Sequence, residues 1–403
     1  MSSLLERFCR YVQVETTADE TSTSYPSTEG QRDLGRVLVA ELTALGLEAT
    51  IDEHAIVSAL LPGTVDGAPT IALLAHMDTS PEASGKGVKP QVVRDYAGGD
   101  LRLQHGKPIA AEDLAGFEGK TLITTDGTTL LGADDKAGVA VVMTAVERLL
   151  AQPERPRCPV RVIFTCDEEI GRGTDKLSLP AIDAVCAYTL DGEAAGLIEN
   201  ETFSGALAIV TVRGRNIHPG LAYGKMCNAL RAAGKFLDLL PPELSPERTR
   251  DREPFLHPYH VEGGVAEATL RIILRSFHTP DLEALAEHLR TAATRVMEAI
   301  PEATVEVVIK EQYRNMADYL AKEPRAVALA EQAYRKVGVT PEFRSIRGGT
   351  DGSRLSELGL PTPNLSTGMH NFHCEQEFAC LEEMETAVSV LLELATLWSA
   401  ESA

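Results

Sequence analysis

Five short fragments of the sequence carry histidine or carboxylate side chains, which are nitrogen and oxygen donors of the type that zinc accepts. Each of the first four fragments lies at or just after an apolar run. The fragments are Ala75-His76-Met77-Asp78, Gly132-Ala133-Asp134-Asp135-Lys136, Cys166-Asp167-Glu168-Glu169, Leu190-Asp191-Gly192 and His370-Asn371-Phe372-His373. Five such fragments in one chain predict a two-metal site rather than scattered surface chemistry.

His76 and Asp78 stand two positions apart at the end of a predicted strand, so both side chains can point to the same side. A metal-binding histidine usually donates its other ring N–H to a carboxylate. Asp78 is therefore the expected partner of His76. The alternative interpretation is a histidine in a turn, satisfied by a capping aspartate.

Asp134 and Asp135 precede a predicted helix that starts at Lys136. Aspartate is favoured at the N-cap of a helix, so capping is one interpretation of the pair. One aspartate suffices for a cap, however, and two adjacent carboxylates repel each other unless a cation lies nearby. The second interpretation makes Asp134 a bridge between two metals through its two oxygens.

Glu168 and Glu169 follow a predicted strand that ends near Cys166. Two adjacent acids at a strand end are often a solvated turn. The functional alternative gives them separate tasks. One binds metal, and the other takes a proton from a water whose pKa a catalytic zinc lowers to about 7.

Asp191 ends the next predicted strand, and Gly192 relieves the turn that follows. In the last fragment the candidate ligands are His370, His373 and Cys374, and the residues alone do not choose among them. An oxygen-rich hydrolytic site favours imidazole over thiolate. The structural alternatives would all have to hold at four separate strand ends, so the pattern as a whole favours the metal site.

The elements that carry these fragments alternate between strand and helix patterns. Strands are predicted at 70–75, 159–165 and 184–190, and helices at 32–45 and 136–150. The run at 70–75 is continuously apolar, which is typical of a strand buried on both faces. This alternation predicts an α/β sheet with helices on both faces, in which ligands bind beyond the carboxyl ends of the strands.

After residue 205 the pattern changes to strand, helix, two strands, helix and strand. The strands are predicted at 207–213, 255–261, 268–277 and 304–309, and the helices at 225–240 and 281–299. This order predicts a ferredoxin-like insert. We therefore predict a discontinuous domain at 1–205 and 314–403, interrupted by a smaller domain at 206–313. The Ser/Thr-rich segment 16–27 predicts an exposed loop.

The composition is that of an ordinary globular protein of 403 residues with a formal net charge of −21. This charge argues against nucleic-acid binding, which needs a cationic surface. The apolar stretches are too short to span a bilayer, and the N-terminus lacks the pattern of a secretion signal. The seven cysteines show no Cys-x-x-Cys pairing, which is typical of reduced thiols. We expect a cytoplasmic protein with no membrane or nucleic-acid partner.

These fragments resemble the peptidase T branch of the di-zinc exopeptidase superfamily, and the resemblance covers nearly the whole chain. The Asp-Asp-Lys and Asp-Glu-Glu fragments mark the superfamily, whereas Pro-Ser-Thr-Glu-Gly and Asn-Ile-His-Pro-Gly point to the branch. The matching segments are 26–30, 75–79, 131–138, 167–171, 216–220 and 347–352. The implied fold is α/β: a discontinuous di-zinc exopeptidase catalytic domain with a central mixed sheet, plus an inserted ferredoxin-like α+β lid and dimerisation domain.

The resemblance also implies an activity, the release of the N-terminal residue from tripeptides by zinc-activated water. A dipeptidase or an N-acyl amino acid amidohydrolase of the same superfamily is the nearest alternative. An alternative of another class is a metal-binding regulator that has lost catalysis, against which the intact Glu168 argues.

The ligand sets are implied by the resemblance and concern two zinc ions per subunit. His76, Asp134 and Asp191 would hold one ion, and Asp134, Glu169 and His373 the other, with Asp134 as the bridge. In such enzymes the peptide bond after the bridging aspartate, here Asp134-Asp135, is typically cis.

Three catalytic roles are implied in the same way. Glu168 matches the general base of the family, and Asp78 matches the partner of the ligating His76. His218 lies in the insert and matches a histidine that stabilises the oxyanion, commonly in the active site of the partner subunit of a homodimer. Its alternative is a turn histidine before Pro219.

The substrate-binding residues implied by the resemblance are Arg275, Arg347 and Asn228, for short peptides as substrates. Arg275 matches a carboxylate-binding arginine, and its guanidinium fork suits a terminal carboxylate. Its alternative is an outward-facing strand charge. The chain departs from its relatives at Glu193, an extra acid that either contacts the substrate amine or faces water.

Overall fold

The computed structural model describes residues 3–402, and contacts divide them into two compact units. The first unit comprises the residues up to Asn200, Met316–Arg344 and the residues from Thr350 onward, and the second comprises Glu201–Asn315 and Ser345–Gly349. The boundaries of the second unit therefore differ slightly from those of the predicted domain, 206–313. The independence of that domain stays a prediction.

Helices and strands alternate through the first unit and again through the second. The α-helices are α1 (Leu4–Tyr11), α2 (Glu29–Ala44), α3 (Ala133–Leu150), α4 (Leu179–Ile182), α5 (Ala229–Asp238), α6 (Asp281–Ala299), α7 (Ala317–Leu320), α8 (Arg325–Lys336), α9 (Asp351–Leu358) and α10 (Leu381–Trp398). The strands are β1 (Ala49–Ile51), β2 (Val57–Leu61), β3 (Ile71–His76), β4 (Gln91–Val93), β5 (Leu122–Thr124), β6 (Val160–Thr165), β7 (Cys186–Gly192), β8 (Leu197–Thr202), β9 (Ser204–Arg213), β10 (Phe255–Gly263), β11 (Glu267–Ser276), β12 (Thr304–Tyr313), β13 (Glu342–Ile346), β14 (Asn364–Ser366), β15 (Met369–His370) and β16 (Phe378–Cys380).

The main sheet has, within residues 3–402, eight strands in the order β1-β2-β6-β3-β7-β14-β8-β13. Strand β3 is parallel to both β6 and β7, and β14 is parallel to β7. Strands β2 and β8 pair in the antiparallel sense with β6 and β14. The predicted central mixed sheet is confirmed.

The centre of this sheet is covered on both faces because the residues of β3 alternate between two cores. Leu73 and Ala75 belong to the larger core, which also contains apolar residues of α1, α3 and α10. Ala72 and Leu74 belong to a smaller core on the opposite face, with Leu355 of α9. Every residue of β3 is buried, as a strand between two helix layers requires.

A second, small sheet in the described part of the first unit has the order β15-β16-β5-β4. Its strands are only two or three residues long, and the sequence analysis did not predict them. Strand β16 pairs with β5, so Phe378 lies opposite Thr124. This pairing fixes the end of the loop that contains His373.

The second unit has a four-stranded antiparallel sheet, within its described residues, in the order β10-β11-β9-β12. Helices α5 and α6 pack against it and against each other. Apolar side chains at alternate positions of β9 and β11, such as Val210 and Leu270, form its core with Leu289 of α6. The strand order and helix placement confirm the predicted ferredoxin-like α+β fold.

Candidate metal centre

Two candidate ligands lie at the carboxyl ends of parallel strands. His76 is the last residue of β3, and Asp191 is the penultimate residue of the neighbouring β7. The Nε2 atom of His76 lies 3.6 Å from Oδ1 of Asp191. Helix α3 approaches this edge closely because Gly138 has no side chain: a Cβ there would lie 2.0 Å from the carbonyl oxygen of Leu190. The sheet thus brings the two side chains together as predicted.

The carboxylate of Asp134 lies between two histidines. Its Oδ1 atom is 3.0 Å from Nε2 of His76, and its Oδ2 atom is 3.3 Å from Nε2 of His373. Nε2 of His373 is also 2.9 Å from Oε2 of Glu169. Each oxygen of Asp134 therefore faces the Nε2 atom of one histidine, and each of these Nε2 atoms lies close to one further carboxylate.

The two adjacent aspartates make different contacts, which correspond to the two interpretations that the sequence left open, helix cap and metal ligand. Both have non-helical backbone angles, and the peptide bond between them is cis. Asp135 accepts N–H groups from Gly138 (3.1 Å) and His76 (3.2 Å), so it acts as a helix cap. The oxygens of Asp134 face imidazole nitrogens instead. Asp135 and Asp191 also form a close group with His76, but the two backbone bonds occupy Asp135.

The residues fit a bound metal. In the described part of the chain, the ligand atoms of His76, Asp134 and Glu169 lie within 4.8 Å of one another. The Oε1 atom of Glu169 is buried, and among residues 3–402 it has no hydrogen-bond partner. A buried carboxylate oxygen without a donor is costly unless a cation faces it. The donor set of imidazole and carboxylate is one that divalent transition metals and zinc accept.

Burial dominates the electrostatics of these acids. It raises the pKa of Glu169 to about 8 and that of Asp191 to about 6, and the charge of Asp134 adds to both shifts. Burial would also raise the pKa of Asp134, but hydrogen bonds from His373 and His76 hold it below its usual range. Although burial opposes it, contact with Asp134 and Glu169 raises the pKa of His373 to about 11. The buried carboxylates at this centre thus share the positive charge of two imidazoles, and a bound metal ion would supply more.

Comparison with known proteins identifies the family. The model of peptidase family M20/M25/M40 matches residues 115–397. The chain is 44% identical over 405 residues to "Peptidase T" of Caldanaerobacter subterraneus subsp. tengcongensis, covering 99% of each chain. It is 46% identical over 404 residues to "Peptidase T" of Edwardsiella ictaluri, covering 98% of each. The aminopeptidase PepT from Bacillus cereus matches the fold with a TM-score of 0.77 at 26% identity, over 99% of this chain and 98% of that one.

The chain belongs to peptidase family M20/M25/M40, in its peptidase T branch. It is therefore a peptidase, and it uses a metal cofactor. No helix in the described part of this M20 peptidase is long and apolar enough to cross a membrane.

Glu168 and Glu169 of this peptidase form a short 3₁₀ turn at Glu168–Ile170. The carboxylate of Asp78 accepts the backbone N–H groups of both glutamates, each at 3.1 Å. Asp78 also lies beside Nδ1 of His76, with its carbonyl oxygen at 3.2 Å and its Oδ1 at 3.4 Å. One aspartate thus joins the strand-end histidine to the glutamate turn, a link that the sequence did not show. Burial raises the pKa of Glu168 well above its usual range.

The residue before this turn, Asp167, is held in place by side chains to which the sequence analysis assigned no role. Its backbone is left-handed, with φ at 62°. The carboxylate is fully buried and accepts the N–H of Ser27 (2.8 Å) and Nε2 of Gln31 (2.7 Å). Oε1 of Gln31 accepts the N–H of Asp167 in return. The expectation that 16–27 is an exposed loop is wrong at its ends, because Thr16 and Ser27 are buried.

The three candidates of the last fragment have different surroundings. His370 donates through Nε2 to Oε2 of Glu383 at 2.8 Å and stacks on Phe378 with ring centroids 4.8 Å apart. The thiol of Cys374 donates to the carbonyl of Asn371. Only His373 of these three lies beside Asp134, so the geometry favours it as a ligand.

The four candidate residues in the second unit have contacts within that unit. Nδ1 of the exposed His218 accepts the N–H of Gly220 at 3.1 Å, and Oδ1 of Asn228 accepts that of Leu230 at 2.9 Å as the N-cap of α5. The turn alternative for His218 thus describes its local geometry. Its predicted role in catalysis, and that of Asn228 in substrate binding, stay predictions.

The two arginines each lie over an aromatic ring. Arg275 donates to Oε1 of Gln312 at 2.9 Å and lies 5.1 Å from the ring centroid of Tyr313. Arg347 donates to the carbonyl of Asp251 at 2.6 Å and lies 5.1 Å from the ring centroid of Phe203. Both guanidinium groups are held in place, and their predicted roles in substrate binding stay predictions.

Proposed function

We propose that the protein is a zinc aminopeptidase that releases the N-terminal residue from tripeptides. The observation that carries this proposal is the position of Asp134, whose two oxygens face His76 and His373 separately. A carboxylate placed in this way can be shared by two ions, and a pair of metals is a common device of aminopeptidases. The 44% identity to a protein named peptidase T supports the peptide substrate.

Two zinc ions per subunit would be held by five side chains of the first unit. His76 and Asp191 are proposed for one ion, His373 and Glu169 for the other, and Asp134 for both. Zinc is the proposed metal because imidazole and carboxylate together suit it better than they suit calcium or magnesium. When bound, such a pair supplies a nucleophile at neutral pH and polarises the scissile carbonyl.

Glu168 is proposed as the general base. Its backbone is held by Asp78, and burial raises the pKa of its carboxyl well above its usual range, which makes the carboxylate a stronger acceptor for the proton of a water. It takes a proton from the attacking water and passes it to the amine of the leaving peptide. Asp78 orients His76 and the turn of Glu168 at once.

The residues of the second unit are proposed to select the substrate. Arg275 would bind the terminal carboxylate of the peptide, since a guanidinium fork matches its two oxygens. Arg347 and Asn228 would complete the binding of the peptide, and His218 would stabilise the oxyanion of the reaction. This last role implies a homodimer through the inserted domain, as the family resemblance suggests.

The protein is also proposed to work in a reducing compartment such as the cytoplasm. All seven cysteines lie in the described residues and are free, and five of them are buried. Buried thiols without disulfides are typical of reduced proteins. Locating the protein by cell fractionation tests this part of the proposal.

The substrate proposal is tested with a matched panel of a dipeptide, a tripeptide, a tetrapeptide and an N-acetylated tripeptide. We expect cleavage of the free tripeptide only, lost with a chelator and restored by zinc. Equal cleavage of the dipeptide would indicate a dipeptidase. Cleavage of the acetylated peptide would indicate an amidohydrolase, and no cleavage by the zinc-loaded protein would indicate a regulator without catalysis.

A further inference from the structure

The carboxylate of Glu377 is almost wholly buried and accepts three backbone N–H groups from one loop. Its Oε2 atom accepts from Leu131 at 2.6 Å and from Gly132 at 2.7 Å, and its Oε1 atom accepts from Asp134 at 3.0 Å. Its exposed fraction is 1%. A carboxylate that accepts several N–H groups forms charge-assisted bonds, which are stronger than neutral ones.

The two segments that Glu377 joins both carry proposed metal ligands. One runs from Leu131 into the irregular first residues of α3, which include Asp134. The other contains His373, four positions before Glu377, and is closed by a bond from the N–H of Glu377 to the carbonyl of Cys374. Phe378, the next residue, begins β16 and pairs with Thr124 of β5. Glu377 is thus anchored by a sheet on one side and holds the Asp134 loop on the other.

The loop that carries His373 needs such an anchor. The backbone of His373 is left-handed, with φ at 65°, and that of Asn371 is left-handed at 50°. Non-glycine residues are uncommon in this conformation, and Asn and His enter it more readily than most, so the two residues give the loop an irregular backbone without regular hydrogen bonding. Within residues 3–402 the ring of His373 contacts one carboxylate besides the two proposed ligands, and it donates through Nδ1 to the exposed Glu82 at 3.2 Å. An exposed partner fixes a side chain only weakly, so the position of the imidazole relative to Asp134 depends on the backbone of the loop.

We propose that Glu377 is a positioning residue that sets the distance between His373 and Asp134, so that both face the same metal ion. A glutamine could not replace it, because an amide has only one acceptor oxygen. Its NH₂ group would face a backbone N–H that Glu377 now accepts. Lys136, also buried, lies within electrostatic reach of Glu377 and donates to the carbonyl of Val14. The inference rests on the proposed metal centre.

The test compares Glu377→Gln with Glu375→Gln, which removes the same charge from an exposed residue of the same loop. Apo protein of each variant is titrated with Co²⁺ in competition with a chelator, and the visible absorption of bound Co²⁺ is recorded. We expect Glu377→Gln to weaken one of two Co²⁺ equivalents by about 10- to 100-fold, as loss of a group behind a ligand commonly does. Its Co²⁺ spectrum should change, whereas Glu375→Gln should bind and absorb like the unaltered protein.

Two further variants separate the possible failures. Glu377→Asp keeps the charge but shortens its reach, so we expect a Co²⁺ affinity between those of Glu377→Gln and the unaltered protein, and this variant carries the test if Glu377→Gln does not fold. Circular dichroism and thermal unfolding report the folded fraction. A folded Glu377→Gln or Glu377→Asp protein with unaltered Co²⁺ affinity and spectrum would show a structural role only and overturn the inference. If His373→Ala also binds both equivalents normally, the proposed metal centre itself is wrong.

Discussion

The metal centre has two sides that are built in different ways. His76 and Asp191 lie on adjacent strands of the main sheet: His76 pairs with the last residue of β6, and the ladder between β3 and β7 holds the residues that precede both. Asp134, Glu169 and His373 lie on irregular backbone instead, at the start of α3, in a 3₁₀ turn and in a loop. The first pair, which we call the sheet side, needs only the correct strand order. The other three residues, the loop side, need additional bonds that hold irregular backbone in place.

Buried acidic side chains provide most of those bonds on the loop side. Asp78 accepts the N–H groups of the glutamate turn, Glu377 accepts the N–H group of Asp134 and two that precede it, and Asp167 is fixed by Gln31. Each of these contacts joins residues far apart in sequence. A two-metal site can thus take part of its ligand set from regular structure and the rest from irregular backbone that buried carboxylates hold in place.

The largest effect should come from the sheet side. We predict that His76→Ala lowers the rate of tripeptide hydrolysis by at least about 10³-fold, since a metal supplies several kcal/mol to such a reaction. His370→Gln is the matched control, because His370 packs on Phe378 instead of facing Asp134. It should change turnover by no more than about threefold, below 1 kcal/mol. Steady-state kinetics at saturating zinc measure both, and equal losses would contradict the choice of ligand.

Substitutions of the two adjacent glutamates should have different effects. We predict that Glu168→Gln lowers kcat by about 10²- to 10⁴-fold, the usual contribution of a general base, while two metal equivalents stay bound. Glu169→Gln should instead weaken metal binding, because its carboxylate lies beside His373. Kinetics and metal analysis after dialysis separate the cases. Loss of metal from Glu168→Gln would show that the two tasks had been assigned to the wrong residues.

Metal removal should loosen the loop side and leave the sheet side unchanged. Metal at 100 times its Kd contributes about 2.7 kcal/mol against any opening that breaks the site, or about 100-fold in exchange rate. We predict this change for the amides of residues 131–134 and 373–377, and little change for those of β3. Hydrogen exchange of apo and zinc-loaded protein measures it. A uniform change across both regions would remove the distinction between the two sides.

A smaller effect should follow from a residue that acts through Asp167. Gln31→Met leaves the buried carboxylate and N–H of Asp167 each short of a partner. We predict a loss of about 1–3 kcal/mol in the free energy of unfolding. Gln13→Met makes the same change at an exposed position and should leave stability near its original value. Urea unfolding followed by circular dichroism tests both variants, and equal stabilities would show that Gln31 does not support the turn.

The smallest effect is expected at Glu193. Its carboxylate lies 2.7 Å from Nη1 of Arg344, and both side chains are partly exposed, 38% and 44%. An exposed ion pair contributes about 0.2–1 kcal/mol. Glu193→Gln should therefore alter stability within this range and leave KM for the tripeptide unchanged. A KM raised about tenfold or more, with kcat retained, would instead show that Glu193 binds the substrate amine.

The sequence predicted the parts of this fold that are long and regular. The buried runs that became β3, β6 and β7 were recognised because each is apolar and ends in a chemically distinctive residue. The order of elements between Ser204 and Tyr313 likewise sufficed for the ferredoxin-like unit. Local periodicity carries this information, since strands and helices bury their faces at fixed spacing.

The sequence did not predict the contacts that complete the loop side. The small sheet of β4, β5, β15 and β16 has strands too short to show alternation. The pairing of Gln31 with Asp167 joins positions 136 residues apart, and no local pattern encodes it. Segment 16–27 looked exposed because Ser and Thr are usually solvated, yet Ser27 is buried as a donor to Asp167. Polar residues that serve as buried donors or acceptors escape rules based on hydrophobicity.

The contact between Glu377 and Asp134 also determines when, during synthesis of the chain, the loop side can form. These residues are 243 positions apart in the chain, and a ribosome that adds about 5–20 residues per second needs about 12–50 s to cover that distance. For all but the last few residues of that interval, the growing polypeptide holds His76 and Asp134 but not yet His373. A nascent chain that stops before residue 373 lacks this ligand, so the proposed metal centre is complete only after His373 has been added.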